Sequence, residues 1–104
     1  MQYDVIIIGA GPGGIFSAYE LSKLCPDKKI GVFEEGQPLE KRRCPIDGKT
    51  VKHCIGCPTC AIMNGFGGAG AFSDGKYNLT NDFGGTLYEY IGKKQAMELM
   101  HYVD

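Results

Sequence analysis

An apolar run near the start of the chain leads directly into a glycine-rich turn. The run Val5–Ile8 is followed by the segment Gly9-Ala10-Gly11-Pro12-Gly13-Gly14, which has the spacing Gly-x-Gly-x-x-Gly. In a strand–turn–helix unit the first glycine permits a tight turn, the second lets backbone approach a pyrophosphate, and the third lets the helix lie close to the strand. The helix N-terminus also favours anions without a basic side chain. The run therefore predicts a dinucleotide-binding turn.

The residues on either side of this turn indicate a strand and a helix. Residues 3–8 are typical of a buried parallel strand, because a β-branched run follows the polar start. We expect a helix over residues 13–24, with Ala18 and Leu21 on the face that packs on the sheet. That helix should end before Pro26, because proline disfavours a helical residue before it.

A second apolar strand, over residues 29–33, completes a predicted β–α–β unit. Glu34 follows it and lies 20 residues beyond Gly14, about where the motif places an acid for a ribose hydroxyl pair. Its neighbour Glu35 is expected to be solvated, although the two could exchange roles. Strand, turn, helix and acid together favour an α/β, Rossmann-like fold that binds FAD or NAD(P).

Beyond this unit the chain has few apolar segments from which to build a regular core. Seven of its 16 glycines fall within residues 65–85, and no second clear apolar run of strand type follows residue 33. We divide the chain into a β–α–β unit (1–36), a cysteine- and glycine-rich loop region (37–80) and a helical segment (81–104). Because residues 93–104 resemble a helix that is cut in mid-run, we expect an incomplete fold, the N-terminal portion of a larger domain.

Charge and hydropathy exclude several classes of partner. The formal net charge is −1 with acids and bases interspersed, so nothing indicates binding to nucleic acid or to a membrane surface. The apolar runs are too short to span a bilayer, and residues 1–8 lack the features of a signal peptide. We therefore expect a cytoplasmic protein.

Four of the five cysteines fall within 17 residues, with the spacing Cys-x9-Cys-x2-Cys-x2-Cys: Cys44, Cys54, Cys57 and Cys60. In a cytosolic chain this spacing favours metal or redox chemistry over structural disulfides. Three interpretations stay open: a four-cysteine site for zinc or an iron–sulfur cluster, redox-active thiols, or no chemistry. We expect His53 to be a bystander and Cys25 to be a small buried hydrophobe.

A second glycine loop, residues 64–76, combines small residues with Phe66, Phe72 and Lys76. Glycine permits positive φ and leaves N–H groups bare, so such a loop can form an anion nest or lie against a planar ring. A flexible linker is the alternative, but a solvated spacer has no need of large aromatic residues. We favour a loop that contacts the cofactor.

Three features together resemble a family of bacterial and archaeal FAD-dependent dehydrogenases: the first glycine turn with Glu34, the Arg43-Cys44-Pro45 step, and the second glycine loop. The resemblance covers nearly the whole chain, whereas family members run to several hundred residues. It implies an N-terminal part of an FAD-binding domain, in which hydride is transferred through the flavin. The sequence does not identify the small-molecule substrate. No residue stands out as a general acid or base, so we name no catalytic side chain. The cofactor-binding residues it implies, together with the motif positions above, are Gly9, Gly11, Pro12, Gly13, Gly14, Glu34, Glu35, Arg43, Gly67, Gly68 and Ser73.

Two other functions remain open from the sequence. The same turn and acid also serve NAD(P), so the chain could be part of a nicotinamide-binding domain. Alternatively, the cysteine cluster could form a metal or electron-transfer module for which the nucleotide fold is only a scaffold.

Overall fold

The computed structural model describes all 104 residues of the chain. They divide into two compact units, residues 1–73 and 74–104. The first unit contains two strands, one α-helix and two short 3₁₀ helices: β1 (Val5–Ile8), α1 (Pro12–Leu24), β2 (Ile30–Phe33), Leu39–Lys41 and Ala69–Phe72. The second contains α2 (Leu87–Ile91) and α3 (Lys93–Val103).

The two strands form a parallel pair connected by α1, so the first 33 residues make one β–α–β unit. Val5 pairs with Ile30 and Ile8 with Phe33. Both strands begin later than the sequence predicts: the paired residues start at Val5 and Ile30, and Asp4 and Lys29 lie just before them. There the Lys29 backbone N–H donates to the Asp4 carboxylate (2.7 Å), which ties the two strand entrances together.

The two faces of this small sheet differ. Ile7 faces α1, since its Cγ2 lies 3.4 Å from where a β-carbon on Gly14 of that helix would be. Ile6 and Ile8 are 58% and 88% exposed. The alternation follows from the two-residue period of a strand, which sends successive side chains to opposite faces.

In the second unit, α2 and α3 follow each other with a single glycine between them. Gly92 has φ of +84°, a conformation that an L-residue rarely adopts, and it ends α2 and begins α3. The helix predicted over residues 93–104 matches α3 to within one residue, whereas α2 was not predicted as a separate helix. Each of the three α-helices falls short of the length and apolar character needed to traverse a bilayer.

Candidate functional site

The first glycine turn closes the end of β1 against β2. Gly9 has φ of +97°, and its N–H donates to the Phe33 carbonyl (2.7 Å). A β-carbon on Gly14 would collide with the carbonyl oxygen of Gly9. The helix therefore packs too closely on the turn for any side chain at position 14, as its place in the motif predicts.

The helix α1 begins without a side-chain cap. Gly11 is the N-cap residue, with an ordinary extended backbone (φ −79°), and Pro12 occupies the first turn. An α-helix leaves its first N–H groups without intrahelical partners, and side-chain oxygens usually satisfy some of them. Here no side chain does so. The start of α1 therefore offers backbone donors and the positive end of the helix dipole to an anion.

Glu34 fastens the ends of the two strands together. One carboxylate oxygen accepts the N–H of Ala10 (2.8 Å) and the other accepts the N–H of Gly36 (2.9 Å). These two hydrogen bonds, aided by the nearby Arg42 charge, lower the pKa of Glu34 below its ordinary value, so it is an anion at neutral pH. A carboxylate has about four lone-pair positions, so these two bonds leave it able to accept others.

The second glycine loop lies directly on the first. Gly67 donates its N–H to the Ala10 carbonyl (2.8 Å), and a β-carbon on Gly68 would lie 3.1 Å from the α-carbon of Gly11 and 3.2 Å from Pro12 Cδ. Gly68 has φ of +65°. Positive φ and close backbone approach both require glycine at this position. Two segments that lie far apart in the chain thus meet beside the N-terminus of α1.

A buried arginine holds the second loop in this place. Arg42 is only 4% exposed, and its guanidinium donates to four backbone carbonyls at 2.7 to 2.9 Å: those of Ala61, Ile62, Phe66 and Gly68. Its Cζ atom also lies 4.9 Å from the centre of the Phe72 ring. Buried charges need such partners, and here the carbonyl oxygens satisfy the guanidinium without a direct ion pair.

The neighbouring Arg43, which the family resemblance implies as a cofactor-binding residue, lies in a different environment. Arg43 is exposed and makes none of these bonds. No sequence signal separates the two arginines, because they are adjacent and differ only in which one turns inward. Glu35 and Ser73, two further predicted site residues, are exposed, and the Ser73 N–H donates to the Gly70 carbonyl (3.0 Å).

Two clefts open beside Glu34, at the carboxyl ends of the strands. One has a volume of about 290 Å³ and includes Gly9, Glu35 and Asn64 in its lining. The other, of about 350 Å³, is lined mainly by apolar surface of residues such as Leu39 and Phe66. In open α/β sheets ligands bind at this edge. The structure therefore brings Gly9, Gly11, Glu34, Gly67 and Gly68 into one region.

The four clustered cysteines line one pocket of about 160 Å³, together with Pro45, Ile46, Ile55, Gly56 and Ala61. All five cysteines are free thiols. The N–H of Gly56 lies 3.4 Å from Cys54 Sγ and donates to it. No three cysteine, histidine, aspartate or glutamate side chains are arranged closely enough in this structure to hold a metal ion together. His53 and Cys25 lie outside the pocket lining.

Two proteins of unassigned function are similar to parts of this chain. An uncharacterized protein of Clostridium beijerinckii is 35% identical over 71 residues, which are 68% of this chain and 13% of that protein. Uncharacterized protein R188 of Acanthamoeba polyphaga mimivirus is 46% identical over 42 residues, 40% of this chain and 8% of its own length. No family model and no solved structure matches the chain. The chain thus spans a small part of these relatives.

Proposed function

We propose that the chain is the N-terminal portion of a Rossmann-like FAD-binding domain in a flavin-dependent oxidoreductase. The observation that carries the proposal is the meeting of the two glycine loops beside the start of α1, with Gly67 bonded to Ala10 and Gly68 against Gly11. The uncapped N–H groups at the start of α1 suit a pyrophosphate, which is anionic and needs close donors, and the second loop beside them presents backbone without side chains that would block its approach.

The start of α1 supplies the anion site in this proposal. The N–H groups of Gly13 and Gly14 lie in the first turn of a helix that no side chain caps. Gly11 has room for backbone to approach a ligand, because even an added β-carbon would meet only one atom of the protein within 4 Å, at 3.9 Å. The pyrophosphate would lie over these residues.

Glu34 orients the adenosine half. Its carboxylate is held by two backbone N–H groups at the carboxyl end of β2, and its lowered pKa keeps it charged. A fixed carboxylate with lone pairs to spare can accept ribose hydroxyl protons. The clefts on either side of Glu34 provide volume for the ribose and the adenine ring.

The second glycine loop favours FAD over a nicotinamide cofactor. A β–α–β unit with an acid after its second strand serves both dinucleotides, whereas this chain adds a second backbone surface, anchored by Arg42, along the same anion site. When bound, FAD supplies hydride transfer through its flavin ring, and the protein supplies position and electrostatics. The family resemblance implies that Arg43 and Ser73 would lie further along the cofactor.

The test uses the chain itself with ADP, FAD and NAD⁺ as probes. Nucleotide up to about 10 mM is added to ¹⁵N-labelled protein, since even a millimolar dissociation constant corresponds to about −4 kcal/mol and is measurable. We expect amide shifts at residues 11–15, 34–36 and 67–68, with FAD and ADP binding more tightly than NAD⁺. Shifts elsewhere, or no shifts with any nucleotide, would contradict the proposal.

A matched pair of glycine variants separates ligand contact from folding. Gly11→Ala is tolerated by the protein, because its backbone is in an ordinary region and its β-carbon clashes with nothing. It should weaken ADP binding at least about tenfold by intruding on the pyrophosphate. Gly70→Ala, whose β-carbon also meets no atom within 4 Å, should bind like the parent chain.

A further inference from the structure

We infer that the cysteine pocket is a binding site for one soft divalent cation, with Zn²⁺ as its natural probe. Cys44, Cys54, Cys57 and Cys60 all line the same pocket and all are free thiols. Four cysteine thiolates in tetrahedral arrangement are a standard ligand set for structural zinc. The inference does not depend on the proposed nucleotide function.

The thiols stand around the pocket without converging on one point. A cysteine side chain has a single torsion, and a change of rotamer moves its sulfur by about 3 Å. Metal binding would turn the thiols into this pocket, whose volume is about 160 Å³.

The turn after Cys54 directs a backbone N–H at the sulfur of that cysteine. Gly56 adopts φ of +69° and directs its N–H at Cys54 Sγ (3.4 Å). A hydrogen bond donated to sulfur stabilises its anionic form, which is the form that binds a metal. Glycine is the residue that adopts this backbone conformation without strain.

A second turn lies in the chain between Cys44 and Cys54. The N–H groups of Asp47 and Gly48 donate to the Val51 carbonyl (3.0 and 3.2 Å), and the Asp47 carboxylate accepts the N–H groups of Lys49 and Val51. The chain between Cys44 and Cys54 thus folds back on itself. This closed turn reduces the conformational entropy that would oppose joining the ends of the segment.

The charge of the surrounding segment complements a tetrathiolate site. A Zn²⁺ ion with four thiolates carries a net charge of −2, since binding releases the four thiol protons to solvent and no electron is transferred. Residues 41–60 contain five basic side chains and one acidic side chain: Lys41, Arg42, Arg43, Lys49 and Lys52 against Asp47. This local excess of positive charge offsets the charge of the occupied site.

Occupancy would also act on the glycine loop. Cys60 is followed by Ala61 and Ile62, whose carbonyls accept from Arg42 at 2.8 and 2.7 Å. The same guanidinium holds Phe66 and Gly68. Fixing Cys60 therefore steadies the carbonyls on which the buried arginine depends.

The decisive experiment is a metal titration of the fully reduced 104-residue chain under anaerobic conditions. We expect one Zn²⁺ per chain, release of thiol protons, and sulfur-to-metal charge-transfer absorption when Co²⁺ or Cd²⁺ replaces zinc. Zinc should slow amide hydrogen exchange at residues 61–68. Absence of stoichiometric binding would overturn the inference, and so would an iron–sulfur cluster or a reversible disulfide among these four cysteines in freshly isolated protein.

Paired variants assign the ligands. Each of Cys44→Ser, Cys54→Ser, Cys57→Ser and Cys60→Ser should weaken zinc binding at least about a hundredfold. Cys25→Ser and His53→Ala, which change residues outside the pocket lining, should bind like the parent chain. Gly56→Ala should weaken binding about tenfold through the strained turn. Gly85→Ala, which carries the same kind of positive-φ strain (+81°) in the other unit, should leave affinity unchanged.

Discussion

The β–α–β unit and the loop region that follows it hold their backbones in place by opposite means. In residues 5–33 the bonds are repetitive, because a strand ladder and a helix each contain several equivalent hydrogen bonds. In residues 37–73 the backbone is fixed by a few unlike contacts, chiefly the four bonds of Arg42 and the close approach of glycines. Damage to one bond should therefore be local in the first region and widespread in the second.

The largest expected effect is the loss of the buried guanidinium. Arg42→Met leaves four backbone carbonyls without their donor, and each charge-assisted bond of this kind contributes on the order of 1.5–3 kcal/mol. We expect a destabilisation of about 3 kcal/mol or more, with rapid amide exchange across residues 61–68. Urea denaturation and hydrogen exchange measure the two effects.

The adjacent arginine is the matched control for this variant. Arg43 is exposed, so Arg43→Met should change the free energy of unfolding by less than about 0.5 kcal/mol. Equal effects of the two substitutions would contradict the anchoring role of Arg42 and would remove the contrast between the two regions.

A smaller effect is expected where the helix meets the glycine turn. Gly14→Ala places a β-carbon against the Gly9 carbonyl, and relief requires α1 to move away from β1. Such overpacking costs about 1–3 kcal/mol. Thermal unfolding followed by circular dichroism measures the loss. Gly13→Ala adds the same atom one residue earlier with nothing within 4 Å, so it should leave stability nearly unchanged.

A third variant acts where the loop region lies on the β–α–β unit. A β-carbon on Gly36 would come within 2.6 Å of both N and Cα of Gly65. Because the loop there can shift more readily than a helix, we expect Gly36→Ala to destabilise by about 1 kcal/mol. Proteolysis should become faster at residues 61–73 and stay unchanged in α1. Full protection of the loop in this variant would show that the contact is dispensable.

The smallest effect concerns pH. Hydrogen bonds from Ala10 and Gly36 lower the pKa of Glu34 in the folded chain below its ordinary value of 4.5, which applies when the chain is unfolded. The stabilisation from this group is therefore complete above pH 4.5 and is lost as pH falls through the folded pKa. The difference in unfolding free energy between the parent chain and Glu34→Gln should shrink over that range.

Two comparisons isolate this pH effect. Asp47, whose pKa is also lowered by backbone hydrogen bonds, titrates in the same region, but it is present in both the parent and the Glu34→Gln chain and so cancels in the difference. Glu35→Gln changes the exposed neighbour and should reproduce the parent curve. A pH-independent difference for Glu34→Gln would rule out the charged form as the stabilising one.

The sequence was informative where structure is decided locally. The β-branched run before Gly9, the glycine spacing and Pro26 predicted β1, α1 and β2 to within two residues at each end. The place of Glu34 after β2 followed from the same pattern, but its bond to the Ala10 N–H did not, because that bond depends on the pairing of the strands.

Arg42 could not be foreseen for a different reason. It follows the short 3₁₀ helix Leu39–Lys41, and the direction of its side chain depends on carbonyls that lie 19 to 26 residues away. Neither periodicity nor propensity carries information over that separation. The metal site and the cofactor stay predictions, which the titrations and variants described above test.

The burial pattern has a consequence for calorimetry. The two wholly buried hydrophobic residues are Ala10 and Ala96, and no large side chain is fully enclosed. The heat-capacity change of unfolding grows with the apolar area that becomes hydrated, and it is about 12–15 cal/mol/K per residue in typical domains. The heat-capacity change of this chain should fall below that range. Its free energy of unfolding should therefore vary unusually little with temperature, and its melting transition should be broad.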